Sequence, residues 1–468
     1  MQHRLIWFRD DLRTQDNSAL VAALKDDRPI RLSAVFLTAN DDWSRFGYGA
    51  NRLFYTEQVL RSLAKELSLL SIDFQVVILR SYVEQVKWLV EYCQTEEVTD
   101  LFFNQEYQVN ERQRDLDVVD LVQSNIKIHE FADRIMLQAG DVLTKENNYY
   151  TVFTPFKKRW LDRIKEVSYA PFTLPSHHAK PSPIAQWAPL CNASESDLSS
   201  YATSETEAII RLDEFIENGL LRYESTRNSP SLSGTSRLSP YLARGLISPR
   251  QCIARAEALL ERPIWDFPAE AFSWINEIIW RDFYQHLLAG FPRLSKNKAF
   301  RANTESIRWI NNEEDITAWK NGSTGIPIVD AGMRELRETG WMHNRVRMVV
   351  AQFLTKNLLC DWRIGESYFM RYLVDSDLGA NNGGWQWSAS TGTDAAPYFR
   401  VFNPVSQSQT HDPDGSYLAK WIPSLTALEA AKRHAPWTSN VNINYPPPIV
   451  DLKTSRQRAI DVFKDLRK

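Results

Sequence analysis

In the stretch FSWINEIIWRDFY (272–284) a carboxylate stands between two tryptophans on an otherwise apolar run. Helical spacing puts Trp274, Glu277, Arg281 and Tyr284 on one side, with Trp280 adjoining. Two arrangements satisfy Glu277. It pairs with Arg281 one turn on, or it meets the polar edge of a flat ligand on which Trp280 stacks.

A second stretch is richer. DSDLGANNGGWQW (375–387), running on to STGTD (390–394), combines the Asp375 and Asp377 carboxylates, the Asn381 and Asn382 amides, a glycine pair and two tryptophans. Such a run is no ordinary core segment: glycines allow close backbone approach or positive φ, and buried polar groups need partners. A divalent cation or an acid–base pair is the weaker reading, because no histidine or third carboxylate flanks Asp375 and Asp377. No metal site is expected.

In GTSRLSP (234–240), Ser239 is predicted to cap a helix whose first residue is Pro240. Thr235 and Ser236 add hydroxyls where free N–H groups and the helix dipole favour an anion. A pyrophosphate would fit there, and a well-capped structural helix would show the same residues. In WMHNRVRM (341–348), Asn344, Arg347 and Met348 share a face. His343, with no nucleophile nearby, reads as a satisfied core residue.

Two kinds of element must hold these groups. The first third alternates apolar runs (5–8, 32–37, 74–79, 101–103, 126–131) with helical patterns (18–24, 52–70, 83–96, 111–122). That alternation predicts a doubly wound, five-stranded parallel sheet with ligands at the carboxyl ends of its strands. Neither a G-x-G-x-x-G nor a P-loop supports a dinucleotide site in that part. From about 167 to 206 the composition shifts to Pro, Ser, Ala and His, a connector wrapped over the surface or partly mobile. Helical spacing then dominates (207–218, 249–260, 269–289, 327–339, 345–359, 366–373), ending in an irregular proline-rich tail around NYPPPIV. The expected division is an α/β domain over 1–131, a connector over 132–206 and an all-α domain over 207–468.

A chain of 468 residues suggests two packed domains. A net charge of −3 excludes a globally basic DNA binder but leaves a local basic groove open. With 43% hydrophobic and 24% charged residues, the balance is that of a soluble globular protein. The start reads as no signal peptide, and no run is apolar enough for a membrane span. Four isolated cysteines (Cys93, Cys191, Cys252, Cys360) offer neither a disulfide framework nor zinc spacing and suit a reducing cytosol. Of the 16 tryptophans, 11 follow residue 260, which assigns aromatic chemistry to the helical part.

Taken together, these stretches, with WFRDDLR at the start, YQVNERQRD (107–115) and TPFKKRW (154–160), resemble the photolyase/cryptochrome flavoprotein family over essentially the whole chain. The likeness is greatest to its bacterial class I members, which act on cyclobutane pyrimidine dimers. It implies an antenna pigment in the α/β domain and FAD, held bent, in the helical one. Tyr223, Thr235, Ser236, Arg237, Leu238 and Ser239 would belong to the FAD site, the anion site being its phosphate end. Arg347 and Asp375 would pair beside the isoalloxazine, with Asp377 near the ring and Asn381 facing flavin N5.

The implied reaction is carbon–carbon lyase chemistry in UV-damaged DNA: excited FADH⁻ gives an electron to a flipped-out dimer, the cyclobutane ring opens, and the electron returns. On this resemblance Trp280 and Trp387 form aromatic walls, Glu277 and Asn344 contact base edges, and Met348 closes the floor. Glu277 would steady negative charge on the dimer, and Arg345 and Arg400 would contact phosphates. Trp385, Trp362 and Trp309 would carry electrons to FAD under light. Asn344 directly after His343 fits dimer repair rather than (6-4) repair.

Asn110, Glu111 and Lys296 would hold an antenna 5,10-methenyltetrahydrofolate, with 41–50 as the other wall; a deazaflavin or no antenna are the alternatives. A cytoplasmic, DNA-associated monomer is expected, without a membrane or an obligate protein partner. The competing functions are a cryptochrome-type blue-light receptor without repair, and a DNA-binding flavoprotein that has lost catalysis. The lack of a long tail after NYPPPIV speaks for repair over signalling.

Overall fold

Strand β1 (Gln2–Phe8) sorts its side chains onto two faces. Ile6 and Phe8 join one buried cluster, and Leu5 and Trp7 join another. The same alternation recurs in β2 (Ile30–Leu37) and β4 (Asp100–Asn104), so the sheet is covered on both sides, as a parallel sheet requires. The edge strands β3 (Asp73–Val77) and β5 (Lys127–Phe131) are more exposed. All pairings are parallel in the order β3-β2-β1-β4-β5. This is the five-stranded doubly wound sheet expected, in a computed structural model that describes residues 2–25, 30–175 and 180–466.

Strand order reverses between β1 and β4, and there the sheet has a cleft. Arg9, Asp10 and Glu106, just beyond the two strands, line it with Arg52, Tyr48 and Glu111. The expected loop at 41–50 begins as a short helix, Asn40–Arg45, and Trp43 also faces the cleft.

The connector holds a helix, Phe153–Ile164, and much of the rest is pinned to the Ala50–Leu69 helix. Trp187 Nε1 and Leu190 N both donate to Glu57 Oε2, at 3.0 and 3.1 Å. Residues 176–179 of the connector, with the histidine pair, lie outside the described residues.

The remainder is helical, with three departures from the sequence expectation. The run 345–359 is not one α-helix: Asn344–Gln352 passes into a π-helical turn, Phe353–Asn357, around the buried Lys356. The polar–glycine–tryptophan run is itself a helix, Leu378–Ala389. The proline-rich tail gives way to a further helix, Leu452–Asp465, which the prolines before it had masked. No helix among the described residues is long and apolar enough to cross a membrane.

Candidate active site

The long helix Ala269–Gly290 and the helix Leu378–Ala389 pack face to face because glycine lets them. A Cβ at Gly383 would stand 2.1 Å from the Tyr284 ring. Close approach, not positive φ, is thus the use of that glycine. The only αL residue at this helix is its C-cap, Ser390, at φ 64°.

Asp375 is buried. Arg347 Nη2 donates to its Oδ2 at 2.9 Å, the pairing expected. Ser239 Oγ donates to the same oxygen at 2.6 Å. That second bond corrects the expectation for Ser239: the helix Ser239–Arg244 is preceded by Leu238, and no side chain caps it. The Ser239 hydroxyl is spent on Asp375, leaving the helix's first N–H groups without a side-chain cap. Asp375 Oδ1 is buried and finds no hydrogen-bond partner among the described residues.

The other expected cofactor residues make contacts of their own. Tyr223 is buried under the Arg227 guanidinium, 5.1 Å from its ring. Ser236 Oγ accepts from Trp274 Nε1 at 3.3 Å, and Thr235 and Ser236 remain half-exposed. Arg237 has φ 51° and lies over Trp341, 4.4 Å from the ring, while Leu238 is buried.

Asp377 caps the Leu378–Ala389 helix through Ala380 N, at 2.9 Å. Burial alone would raise its carboxyl, but Arg134 and Arg281 hold it below the usual range. Asn381 Nδ2 donates to the Glu366 carbonyl at 2.9 Å, so the side-chain oxygen is directed away from that bond. Asn382 Nδ2 donates to the Glu366 carboxyl at 2.8 Å, and burial pushes that carboxyl up to about 7.

Glu277 does not pair with Arg281. Arg227 Nη2 lies 2.6 Å from Glu277 Oε1, and Arg281 donates instead to the carbonyls of Arg134 and Leu242. The local i,i+4 choice loses because Arg281 is drawn to carbonyls on other elements. Trp280 is half-buried, with one face covered by Phe153 at 3.6 Å and 6°. Sequence reasoning missed both Phe153 and Arg227; neither lies near its partner in the chain.

Across the site, Asn344 is exposed at the start of its helix and Met348 is half-buried. His343 Nδ1 accepts from Arg345 N at 3.1 Å. Burial, and then Arg237 and Arg347, pull its pKa down to about 3, which leaves it neutral. Arg345 donates to Asn228 Oδ1 at 2.7 Å; Arg400 is exposed and Trp387 half-buried.

Trp385 and Trp362 lie fully buried in one cluster, with the half-buried Trp309 against it. The ring neighbours of Trp385 are Phe369 at 4.9 Å and Trp319 at 6.1 Å. Of the antenna residues, Glu111 is buried, accepting from Tyr82 Oη at 2.6 Å. Lys296 is exposed in the helical part, and Asn110 is half-exposed. Among the described residues, no group of three or more His, Cys, Asp or Glu is placed to hold a metal.

The chain, an α/β sheet with a cleft at its switch point followed by a helical half, matches known proteins. A family model described as DNA photolyase matches residues 4–177, and one described as the FAD binding domain of DNA photolyase matches 274–465. The chain is 40% identical to the deoxyribodipyrimidine photo-lyase of Escherichia coli, over all of both chains. The chain belongs to the DNA photolyase family.

The photo-lyase of Vibrio cholerae is 38% identical over 98% of this chain and 99% of its own. Among solved structures, a bacterial class III photolyase from Agrobacterium tumefaciens superposes with a TM-score of 0.88 at 30% identity, covering 100% of this chain and 98% of that one. A Synechocystis cryptochrome gives 0.86 at 28%, covering 99% of each. This photolyase-family chain therefore carries the family's FAD-binding domain in its helical part.

Proposed function

We propose that the chain is a deoxyribodipyrimidine photo-lyase, repairing cyclobutane pyrimidine dimers in DNA by light. The observation that carries the reading is the pairing of two sites on the Ala269–Gly290 helix and its neighbours. At one, Trp280 is sealed on one face by Phe153, on the helix that also bears the half-exposed Glu277 carboxyl. At the other, the buried Asp375 keeps one oxygen without a partner beside the Ser239 hydroxyl and the Arg347 guanidinium.

That donor and acceptor set fits FAD. Tyr223, Thr235, Ser236, Arg237, Leu238 and Ser239 would hold it, with Arg347, Asp375, Asp377 and Asn381 at its ring. Reduced FAD (FADH⁻), when bound, supplies a light-driven electron to the dimer and receives it back. The chain's residues bind and orient. Trp280 and Trp387 wall the flipped-out bases, Glu277 and Asn344 meet their edges, and Met348 closes the floor. Glu277 offers a proton or hydrogen bond where negative charge gathers on the dimer. Arg345 and Arg400 face phosphates, and Trp385, Trp362 and Trp309 pass electrons inward from solvent.

For the antenna we propose 5,10-methenyltetrahydrofolate on Asn110, Glu111 and Lys296. A second reading is favoured by Glu111 itself, which lines the sheet cleft with four arginines: a flat anionic chromophore of deazaflavin type in that cleft. The working units are 1–131, 132–206 and 207–468, acting as a cytoplasmic monomer.

The test is blue-light illumination of the reduced, FAD-loaded protein with an oligonucleotide holding one thymine dimer. Restored thymines support the reading. Failure to restore them overturns it and leaves a cryptochrome-type receptor or a DNA-binding flavoprotein that has lost catalysis. The absorption spectrum separates the antennas, since folate adds a near-ultraviolet band and a deazaflavin a band further into the visible.

A further inference from the structure

The Asp375–Ser376–Asp377 turn is held from behind by groups outside the FAD-binding residues. Arg52, in the Ala50–Leu69 helix, and Arg244, ending the Ser239–Arg244 helix, each donate to the Ser376 carbonyl at 3.0 Å. Arg134, following β5, reaches Asp377 Oδ2 at 2.5 Å. The other arms of all three guanidiniums converge on one carboxylate. Asp10, just past β1, meets Arg244 at 2.5 Å and Arg52 and Arg134 at 3.2 Å each.

Three buried guanidiniums so close repel one another. Burial and the neighbouring Arg52 lower Arg244 to about 10. Burial alone would raise Asp10, yet Arg244, Arg52 and Arg134 hold its carboxyl well below the usual range. Breaking a buried pair from one side leaves an uncompensated charge, so without Asp10 the three arms have no common anchor. Each would move with the segment of the turn it holds.

We propose that Asp10 is a positioning residue of the α/β half. Through Arg52, Arg134 and Arg244 it sets the place and the field of the Asp375–Asp377 turn beside the flavin ring. The inference rests on the reading of that turn as the flavin's neighbour, and it assigns part of the flavin's environment to the sheet. The sheet cleft is lined by Asp10, Arg52 and Arg244 as well, so one charge cluster faces both sites.

The test is the midpoint potential of bound FAD, read with FAD content and melting temperature. Asp10→Asn keeps the shape, removes a negative charge and should shift the potential upward. Arg134→Gln removes a positive charge, leaves Asp10 with Arg52 and Arg244, and should shift it downward. Opposite signs are what a field predicts, and a merely structural role would not produce them. Asp10→Asn combined with Asp377→Asn should give less than the sum of the two single shifts, because both act on Arg134. If Asp377→Asn shifts the potential and Asp10→Asn does not, the inference is overturned. If Asp377→Asn itself shifts nothing, the placement of the flavin fails and takes the inference with it. Should Asp10→Asn not fold, the sign of Arg134→Gln decides: no shift, or an upward one, overturns the proposal.

Discussion

Arg227 Nη2 stands 2.6 Å from Glu277 Oε1, tying the end of the Tyr223–Thr226 turn to the middle of the Ala269–Gly290 helix. Burial raises the Glu277 carboxyl, and Arg227 opposes that rise. One ion pair thus sets how readily the proposed base-edge contact carries a proton.

Arg227→Met removes the opposing charge and leaves the burial. The Glu277 pKa then climbs further, and the carboxyl keeps its proton to higher pH. Where repair uses that proton, the decline of the repair rate with rising pH moves upward in the variant. Repair rate against pH, in both proteins at saturating light, checks it; an unmoved profile shows that Glu277 acts only as a hydrogen-bond partner.

Phe153→Leu strips the stacked ring from behind Trp280. An aromatic pair of this kind is worth about 0.5–1.5 kcal/mol beyond its buried area. Affinity for dimer-containing DNA should therefore fall by roughly 2- to 10-fold, with FAD content unchanged. Fluorescence titration with the damaged oligonucleotide reads both.

Gly365→Ala would put a Cβ 2.0 Å from Trp385 Cη2. Neither side has room, since Trp385 is buried and the helix Trp362–Tyr372 packs directly on it. Overpacking of this sort costs about 1–3 kcal/mol. The melting temperature should drop, and light-driven reduction of FAD should slow as the ring is displaced. Trp385→Phe should slow the same reduction, and wild-type rates in that variant would remove Trp385 from the electron path.

Glu366 has a carboxyl raised from 4.5 to about 7 by burial, against the Asn382 hydrogen bond. A raised folded-state pKa gives a contribution that is full below about 4.5 and is lost as pH rises through about 7. Glu366→Gln keeps an acceptor for Asn382 and removes the titration. Its melting temperature should match the unaltered protein at pH 5 and exceed it at pH 8, by up to about 3 kcal/mol of stability. Equal melting curves at both values would place the Glu366 pKa in the ordinary range.

Much of the fold was legible because its signals are local. Leu5–Phe8 and Leu32–Leu37 are apolar runs of strand length, and the pattern at Pro327–Thr339 repeats with the helical period. Where local signals conflict, the reading failed. The glycine pair hid the Leu378–Ala389 helix, because its stability comes from packing on Tyr284 and not from propensity. Ser239 looked like a cap, and Asp375, 136 residues away, claimed its hydroxyl.

By itself, the sequence singled out the residues proposed for the chemistry: Glu277 between tryptophans, the Asp375–Asp377 pair, Arg347 and the hydroxyls at 235–239. It did so because residue type and short-range spacing are written along the chain. Only the tertiary structure decided the partners. Arg227 took Glu277 from Arg281, Phe153 sealed Trp280, and Asp10 gathered three arginines behind the turn. Side-chain pairing depends on distance in space and on which buried charge has no other neutralising group. Neither quantity follows from separation along the chain.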